Sequence, residues 1–439
     1  MRLRRIIAAY TVNRIGNWVG VVALSLAVFD HTHSALAVAA LLFAWQALPA
    51  FLVPALIARV EASKRRGGLS SLYFFEAATT AALAVLLWNF WLPAVLLLAM
   101  LDGTASLAAN SLLRAEVARA ARDQAYEDVR GTERDGGAGG DFEAAASEAE
   151  RRANAALNVA FSISFVAGPA LGGTVVAAAG APAALFIDVG TFLICGALML
   201  DMYPHVEEAG GGSVRSRLRQ TWTHINAVPS LRALLIVDSV ALVLVQAGGP
   251  IEVAYVKATL HGGDRGYGLL VTSWGAGAVL ASVVFARALR RPLGGLLAAG
   301  IFALGAAFVG FSLAPTLALA CLAAFVGGMG NGLDLPSLIS LVQRLSPQHL
   351  HGRMMGATES LGALSLAIGL PLGGALVALS SPRIAFLALG VATLITTAAV
   401  ARLAMSLLEP AREGGTDAAL PASQPIRPAS LVPHEPSPD

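Results

Sequence analysis

Residues 168–182 read GPALGGTVVAAAGAP, four glycines and two prolines inside an otherwise apolar run. In the interior of a water-exposed helix, glycine costs about 1 kcal/mol and proline about 3 kcal/mol relative to alanine. The stretch is nevertheless too apolar for a surface loop. A helix that accepts both breakers needs a solvent other than water and neighbours that shelter its freed backbone groups. Composition agrees: of 439 residues, 56% are hydrophobic and 13% charged, about half the charged fraction of a soluble domain. Apolar runs of about 20 residues, enough to cross a hydrocarbon core, follow one another with short polar breaks. The chain reads as an all-α, multi-pass membrane protein.

Breaks at charge clusters and Pro/Gly turns place twelve spans, at 8–29, 35–58, 69–89, 92–113, 153–179, 182–202, 230–255, 267–287, 293–313, 316–342, 354–379 and 383–407. Counted on alternate sides of the membrane, with those at span ends given to the nearer side, Lys and Arg divide 26 to 3, and Arg14 alone is assigned to neither. Cytoplasmic loops retain positive charge. The division predicts cytoplasmic N- and C-termini in the cytoplasmic (inner) membrane of a bacterium. MRLRR and the apolar run after it are read as the first span, because the run outlasts a signal h-region and no soluble domain follows it.

Four regions result. Residues 1–202 form a six-span bundle whose cytoplasmic insertion, 114–152, reads as two charged helices around a glycine-rich link. Residues 203–229 form a central cytoplasmic loop with a basic surface helix at VRSRLRQTW (214–222), and 230–408 form a second six-span bundle. The tail, 409–439, is rich in Pro and Ser without apolar periodicity and is expected to be disordered. The halves repeat: a shift of 201 residues lays GPALGGTVVAAAGAPAA (168–184) on GLPLGGALVALSSPRIA (369–385), matching Gly168, Gly172 and Gly173 to Gly369, Gly373 and Gly374. Duplicated six-span units are the plan of many secondary transporters.

These residues resemble the major facilitator superfamily, and within it the bacterial drug and siderophore exporters. GPALGG is similar to the GPxxGG core of the family's span-five antiporter motif, which supplies Gly168, Pro169, Gly172 and Gly173. Residues 34–56, LFIDVGTFL (185–193), RGYGLL (265–270) and LSPQHLHGRMMG (345–356), the last with Arg353, also resemble family positions. The loop after span two departs from the pattern, since ALIARVEASKRR (55–66) keeps Arg59 but has Ala58 where the family carries a gating aspartate. The resemblance implies twelve helices in two pseudo-symmetric bundles, with spans one, four, seven and ten lining a central cavity. Pro169 is expected to kink span five and free a backbone carbonyl, giving a small-faced helix that can slide against the other half.

Ionisable side chains inside a membrane usually face a cavity or one another. Arg14, Asp102, Asp238 and Asp334 fall in spans one, four, seven and ten, and the three aspartates are the candidate proton carriers. Asp102, Ser106 and Asn110 recur every four residues along one helical face. Asp102 can carry a proton or can be held in an ion pair with Arg14. Asn17, Trp18, Gln246 and Asn331 complete the candidate substrate cavity. Asp334 can bind substrate or meet Arg344 or Arg353 at a gate. Glu76 is expected near the hydrated cytoplasmic surface, and Asp188 at a packing position.

The expected partners are a small-molecule substrate, protons and the lipid bilayer, and a monomer is expected. No nucleic acid partner, cofactor or metal is implied: GGAGG (136–140) lacks the strand and the Lys-Ser/Thr of a phosphate loop, and the H-x-H pairs at His31/His33 and His349/His351 lack further ligands. No nucleophile, base and orienting group form a recognisable enzyme pattern. The sequence reading is a proton-coupled exporter of a small amphipathic compound, with uptake, uniport or a non-transporting scaffold as alternatives.

Overall fold

A computed structural model describes residues 2–53, 68–134, 142–200, 214–287 and 292–408. Arg59, the link 135–141, residues 203–213 and the tail 409–439 lie outside the described residues. The first half comprises α1 (Arg2–Thr32), α2 (Ala35–Val53), α3 (Gly68–Leu86) and α4 (Leu92–Arg134), followed by the 57-residue stretch Phe142–Leu198. That stretch is two helices, α5 and α6, meeting at Gly180, whose φ of 83° and ψ of 164° are open to glycine but strained for any side chain. The break falls between the fifth and sixth expected spans. The helix runs on through Pro169, so the marked bend is at Gly180 and not at the proline.

A linker helix, Val214–Ala227, leads to α7 (Pro229–Ala254), α8 (Gly263–Arg287), α9 (Leu293–Leu313), α10 (Leu317–Arg344), α11 (His351–Leu379) and α12 (Pro382–Leu408). Among the described residues, eleven helical segments are long and apolar enough to cross a membrane, and the Gly180 break makes them twelve crossings. Large apolar side chains cover the flanks: Leu379 is 87% exposed, and Trp88 and Trp91, 66% and 63% exposed, stand at one end as interfacial tryptophans do. This is an all-α, multi-pass membrane protein.

At 43 residues, α4 would be about 65 Å long, roughly twice a bilayer core. Its last turns therefore run past that length, and there Ala120 and Ala121 share a buried cluster with Ala153 near the start of α5. Tyr126 meets Phe142 edge-on at 5.7 Å, and Arg122 pairs with Glu150.

The equivalent glycines of the two halves perform equivalent packing. In α5, Gly168 and Gly172 press on α1, where an added Cβ would stand 2.5 Å from Trp18 Cβ and 3.1 Å from Val19 Cα. In α11, Gly369 and Gly373 press on α7 at Val243 and Ala247. The next glycine in each half crosses to the other: Gly173 meets Gly268 of α8, and Gly374 meets Leu36 and Ala39 of α2. Pro169 has no N–H to give the Phe165 carbonyl, and that oxygen instead lies against Gly275 of α8, 2.7 Å from where a Cβ would be. Small residues permit such backbone approach between helices in lipid.

The buried apolar residues divide unevenly with depth. On the face opposite the arginine-rich loops, both halves share one continuous cluster that runs from Val28 and Leu41 to Tyr255, Phe308 and Phe386. Towards the arginine-rich face there are two clusters, one made only from the first half and one only from the second. The halves are therefore joined on one side of the membrane and parted on the other.

Candidate functional site

A cavity of about 520 Å³ occupies the space between the parted halves, within the size range of small-molecule sites. Its wall is made by Arg14, Asn17 and Trp18 of α1, Trp45, Gln46 and Pro49 of α2, Gly103, Ser106 and Asn110 of α4, Leu242 and Gln246 of α7, and Gly362, Ala363 and Leu366 of α11. Spans one, four and seven contribute as expected, but α10 gives no residue to the wall and α11 stands in its place. Asn331 is therefore not on the wall. Close packing of α10 against α8 and α9 through Gly300, Gly328 and Gly332 holds its polar residues away from the cavity.

Helical spacing explains the polar stripe. Ser106 and Asn110 lie four residues apart on α4, and the Asn110 amide donates to the Ser106 carbonyl at 2.9 Å. On α1 the Asn17 amide donates to Asn13 Oδ1 at 3.2 Å. Trp18 packs tilted against Phe165 at 4.8 Å between centroids, and Phe165 stacks on Phe161 at 5.8 Å. Arg14 lies over the Phe161 ring, 5.1 Å from its centroid.

The three candidate carboxyl groups are elsewhere. Asp102 is buried behind the wall, where Oδ1 accepts from the hydroxyls of Thr79 (2.8 Å) and Thr80 (2.9 Å) and Oδ2 from the Trp45 indole (3.1 Å). No ion pair joins it to Arg14 among the described residues, which corrects the pairing considered from sequence. Trp45 is the reason: it stands in a π-helical turn, Phe43–Ala47, that Gly103 lets press against α4, and this aims the indole at the carboxylate. Such turns interrupt helices mostly at functional positions. Asp238 is buried, Asp334 half-buried, and each has one carboxyl oxygen without a hydrogen-bond partner. Neither is on the cavity wall, Asp238 being one turn below Leu242 along α7 and Asp334 belonging to the excluded α10.

Trp45 and Asn17 also line a second, small chamber of about 20 Å³, with Ser25, Thr80, Asp102 and Asp188 around it. That is room for one water molecule. The Asp188 carboxylate accepts from Thr191 Oγ1 at 3.1 Å and reaches α1 where Gly16 and Gly20 leave a notch. Glu76 is 1% exposed and neither carboxyl oxygen has a partner, with Ser106 beside it but closing no hydrogen bond of good geometry. The hydrated position expected for Glu76 is thus corrected: it belongs to a buried acidic group with Asp102 and Asp188. Heptad arithmetic could not find this group, because its members come from α3, α4 and α6.

Arg353 lies in the first turn of α11 on the arginine-rich face. Opposite it in the membrane, Lys257 at the end of α7 bonds Asp30 of α1 at 2.7 Å and Asp264 of α8 at 2.6 Å. This triad ties the halves together on the joined side.

The family comparison concerns the second half. A model of the Major Facilitator Superfamily matches residues 234–436. Over that stretch the chain is similar to the Major Facilitator Superfamily. That is a family of transporters and not of enzymes. The multidrug efflux pump Tap of Mycolicibacterium fortuitum is 28% identical over 260 residues, covering 55% of this chain and 61% of Tap. An uncharacterised transporter of the same superfamily, YfiS of Bacillus subtilis, is 27% identical over 240 residues, 51% of this chain and 56% of its own length. The chain thus spans under two thirds of these relatives. Among solved structures, the nucleoside transporter NupG aligns at a TM-score of 0.66 and 12% identity, over 92% of this chain and 98% of NupG. A bacterial homologue of the iron transporter ferroportin aligns at 0.67 and 14% identity, over 92% and 98%. At such identities these two speak for the fold alone.

Proposed function

We propose that this protein is a secondary active transporter that exports small amphipathic compounds across the bacterial cytoplasmic membrane in exchange for protons. The observation that carries the reading is the divided core: one apolar cluster joins the halves on the side opposite the arginine-rich loops, and two separate clusters flank a cavity on the other. With the termini and arginine-rich loops cytoplasmic, the cavity faces the cytoplasm. Its mixed lining, with aromatic and aliphatic surface and a few amides and hydroxyls, suits compounds with one polar and one apolar part. Similarity to the Tap pumps supports export of this kind.

The halves rock about the cavity. In the next state the glycine contacts at Gly173 and Gly374 part, the Lys257 triad breaks, and the cytoplasmic clusters come together. Asp102 takes a proton while the cavity faces outward and gives it up inside, with Trp45 reporting its charge to the cavity wall. Asp238 and Asp334, each with an unpartnered oxygen, are the second pair of proton carriers. Export requires that proton and substrate favour different states or exclude one another.

The test is transport into inverted vesicles. Substrate accumulates when the lumen is acidified and Asp102→Asn abolishes that accumulation without loss of folded protein. Movement driven the other way, or none beyond that of empty vesicles, rejects export in favour of uptake or of a non-transporting role.

A further inference from the structure

The charge on the cavity wall comes from one side chain. Arg14 is the sole ionised side chain on that wall among the described residues. It sits in the middle of α1, no carboxylate among the described residues pairs with it, and its buried Nε has no hydrogen-bond partner. The ionisable groups that act on it are the phenols of Tyr10 and Tyr73 and a second guanidinium, that of Arg114. Its guanidinium lies over the face of Phe161.

An unpaired guanidinium inside a membrane is expensive, and the usual remedy is a partner carboxylate on a facing helix. Three carboxyl groups lie within the membrane spans of this half, yet Asp102, Asp188 and Glu76 are turned away into the group behind Trp45. Asp102 already receives three hydrogen bonds there. The protein thus keeps its negative charge out of the cavity and leaves a planar, five-donor cation in it. Such a fork is shaped for bidentate contact with carboxylate, sulfonate or phosphate oxygens.

We infer that the substrates of this protein are amphipathic organic anions, whose acidic group docks on Arg14 and whose apolar, preferably aromatic, body lies along Trp18 and the apolar wall toward Leu242 and Leu366. Asn17, Asn110 and Gln246 supply neutral hydrogen bonds beside the anion. The inference rests on the reading of this cavity as the export site and adds its charge selectivity. Aromatic cations, which an arginine-lined and carboxylate-free wall repels, are poor substrates.

Fluorescein and rhodamine 123 test this well, because they share one xanthene skeleton and carry opposite charge. Binding is measured by fluorescence anisotropy on the purified full-length protein in nanodiscs of zwitterionic lipid. The expected result is at least about tenfold tighter binding of fluorescein, as one charge-assisted hydrogen bond would give. Arg14→Gln removes the preference, and Arg14→Lys, which keeps charge but not the fork, retains part of it and controls for folding. Equal or tighter binding of rhodamine 123, absence of fluorescein binding, or a preference unchanged in Arg14→Gln overturns the inference. Gradient-driven pumping of rhodamine 123 into inverted vesicles at the rate of fluorescein or faster would overturn it while leaving export itself standing.

Discussion

Gly173 of α5 and Gly268 of α8 meet backbone to backbone across the boundary between the halves: a Cβ on Gly173 would stand 2.9 Å from Gly268 Cα, and one on Gly268 2.5 Å from the Pro169 carbonyl oxygen. Any side chain here wedges the joined side apart. Gly173→Val is expected to yield folded protein that can no longer close this side. Transport should fall by more than tenfold while thermal stability in detergent changes little. A variant that pumps normally would remove the contact from the gating mechanism.

The neighbouring glycines predict a different outcome. Gly172 and Gly373 pack within their own halves, on α1 and α7. Gly172→Val and Gly373→Val overpack each bundle and should destabilise it by about 1–3 kcal/mol. The measurement is the thermal midpoint of the purified protein, which should drop for these two more than for Gly173→Val or Gly374→Val.

Trp45 separates the acidic chamber from the cavity and holds Asp102 through one hydrogen bond of 3.1 Å. Trp45→Phe keeps most of the packing and removes the donor. Export driven by a pH gradient should then fall at least several-fold while downhill substrate movement continues, as expected when one hydrogen bond to a charged group is lost. Equal loss of both activities would assign Trp45 to substrate binding instead.

The Lys257 triad closes the joined side with charge. Lys257→Met leaves Asp30 and Asp264 facing each other and favours opening there by about 1 kcal/mol, since Lys257 is only 18% exposed but Asp30 is 45% exposed. Labelling of a cysteine placed at Ser34 should quicken a few-fold in this variant, and added salt should narrow the difference. An unchanged labelling rate would make the triad a surface ornament of the fold.

Much of this architecture is legible in the sequence because it follows from burial in lipid. The spans, the break between the fifth and sixth of them at Gly180, and the 201-residue repeat all show as apolar length, punctuation and glycine spacing. The cavity residues Arg14, Asn17, Trp18, Ser106, Asn110 and Gln246 are legible in part because polar groups in a membrane seek a hollow. Which hollow is another matter. Asp102 shares a helical stripe with Ser106 and Asn110, yet it is captured by Thr79, Thr80 and an indole presented by a π-helical turn that no spacing rule announces. The absence of α10 from the wall comes from its glycine packing with α8 and α9, a tertiary choice that span length and apolarity do not announce.

The central claim is that the two halves exchange which side is joined. Pulsed electron spin resonance measures it directly, on spin labels at His33→Cys with His261→Cys for the joined face and Ser111→Cys with Arg287→Cys for the parted face, in a Cys195→Ser, Cys321→Ser background. On addition of substrate without acidification, the first distance should lengthen and the second shorten in the same population. Two distances that stay fixed under every combination of pH and substrate would contradict the account.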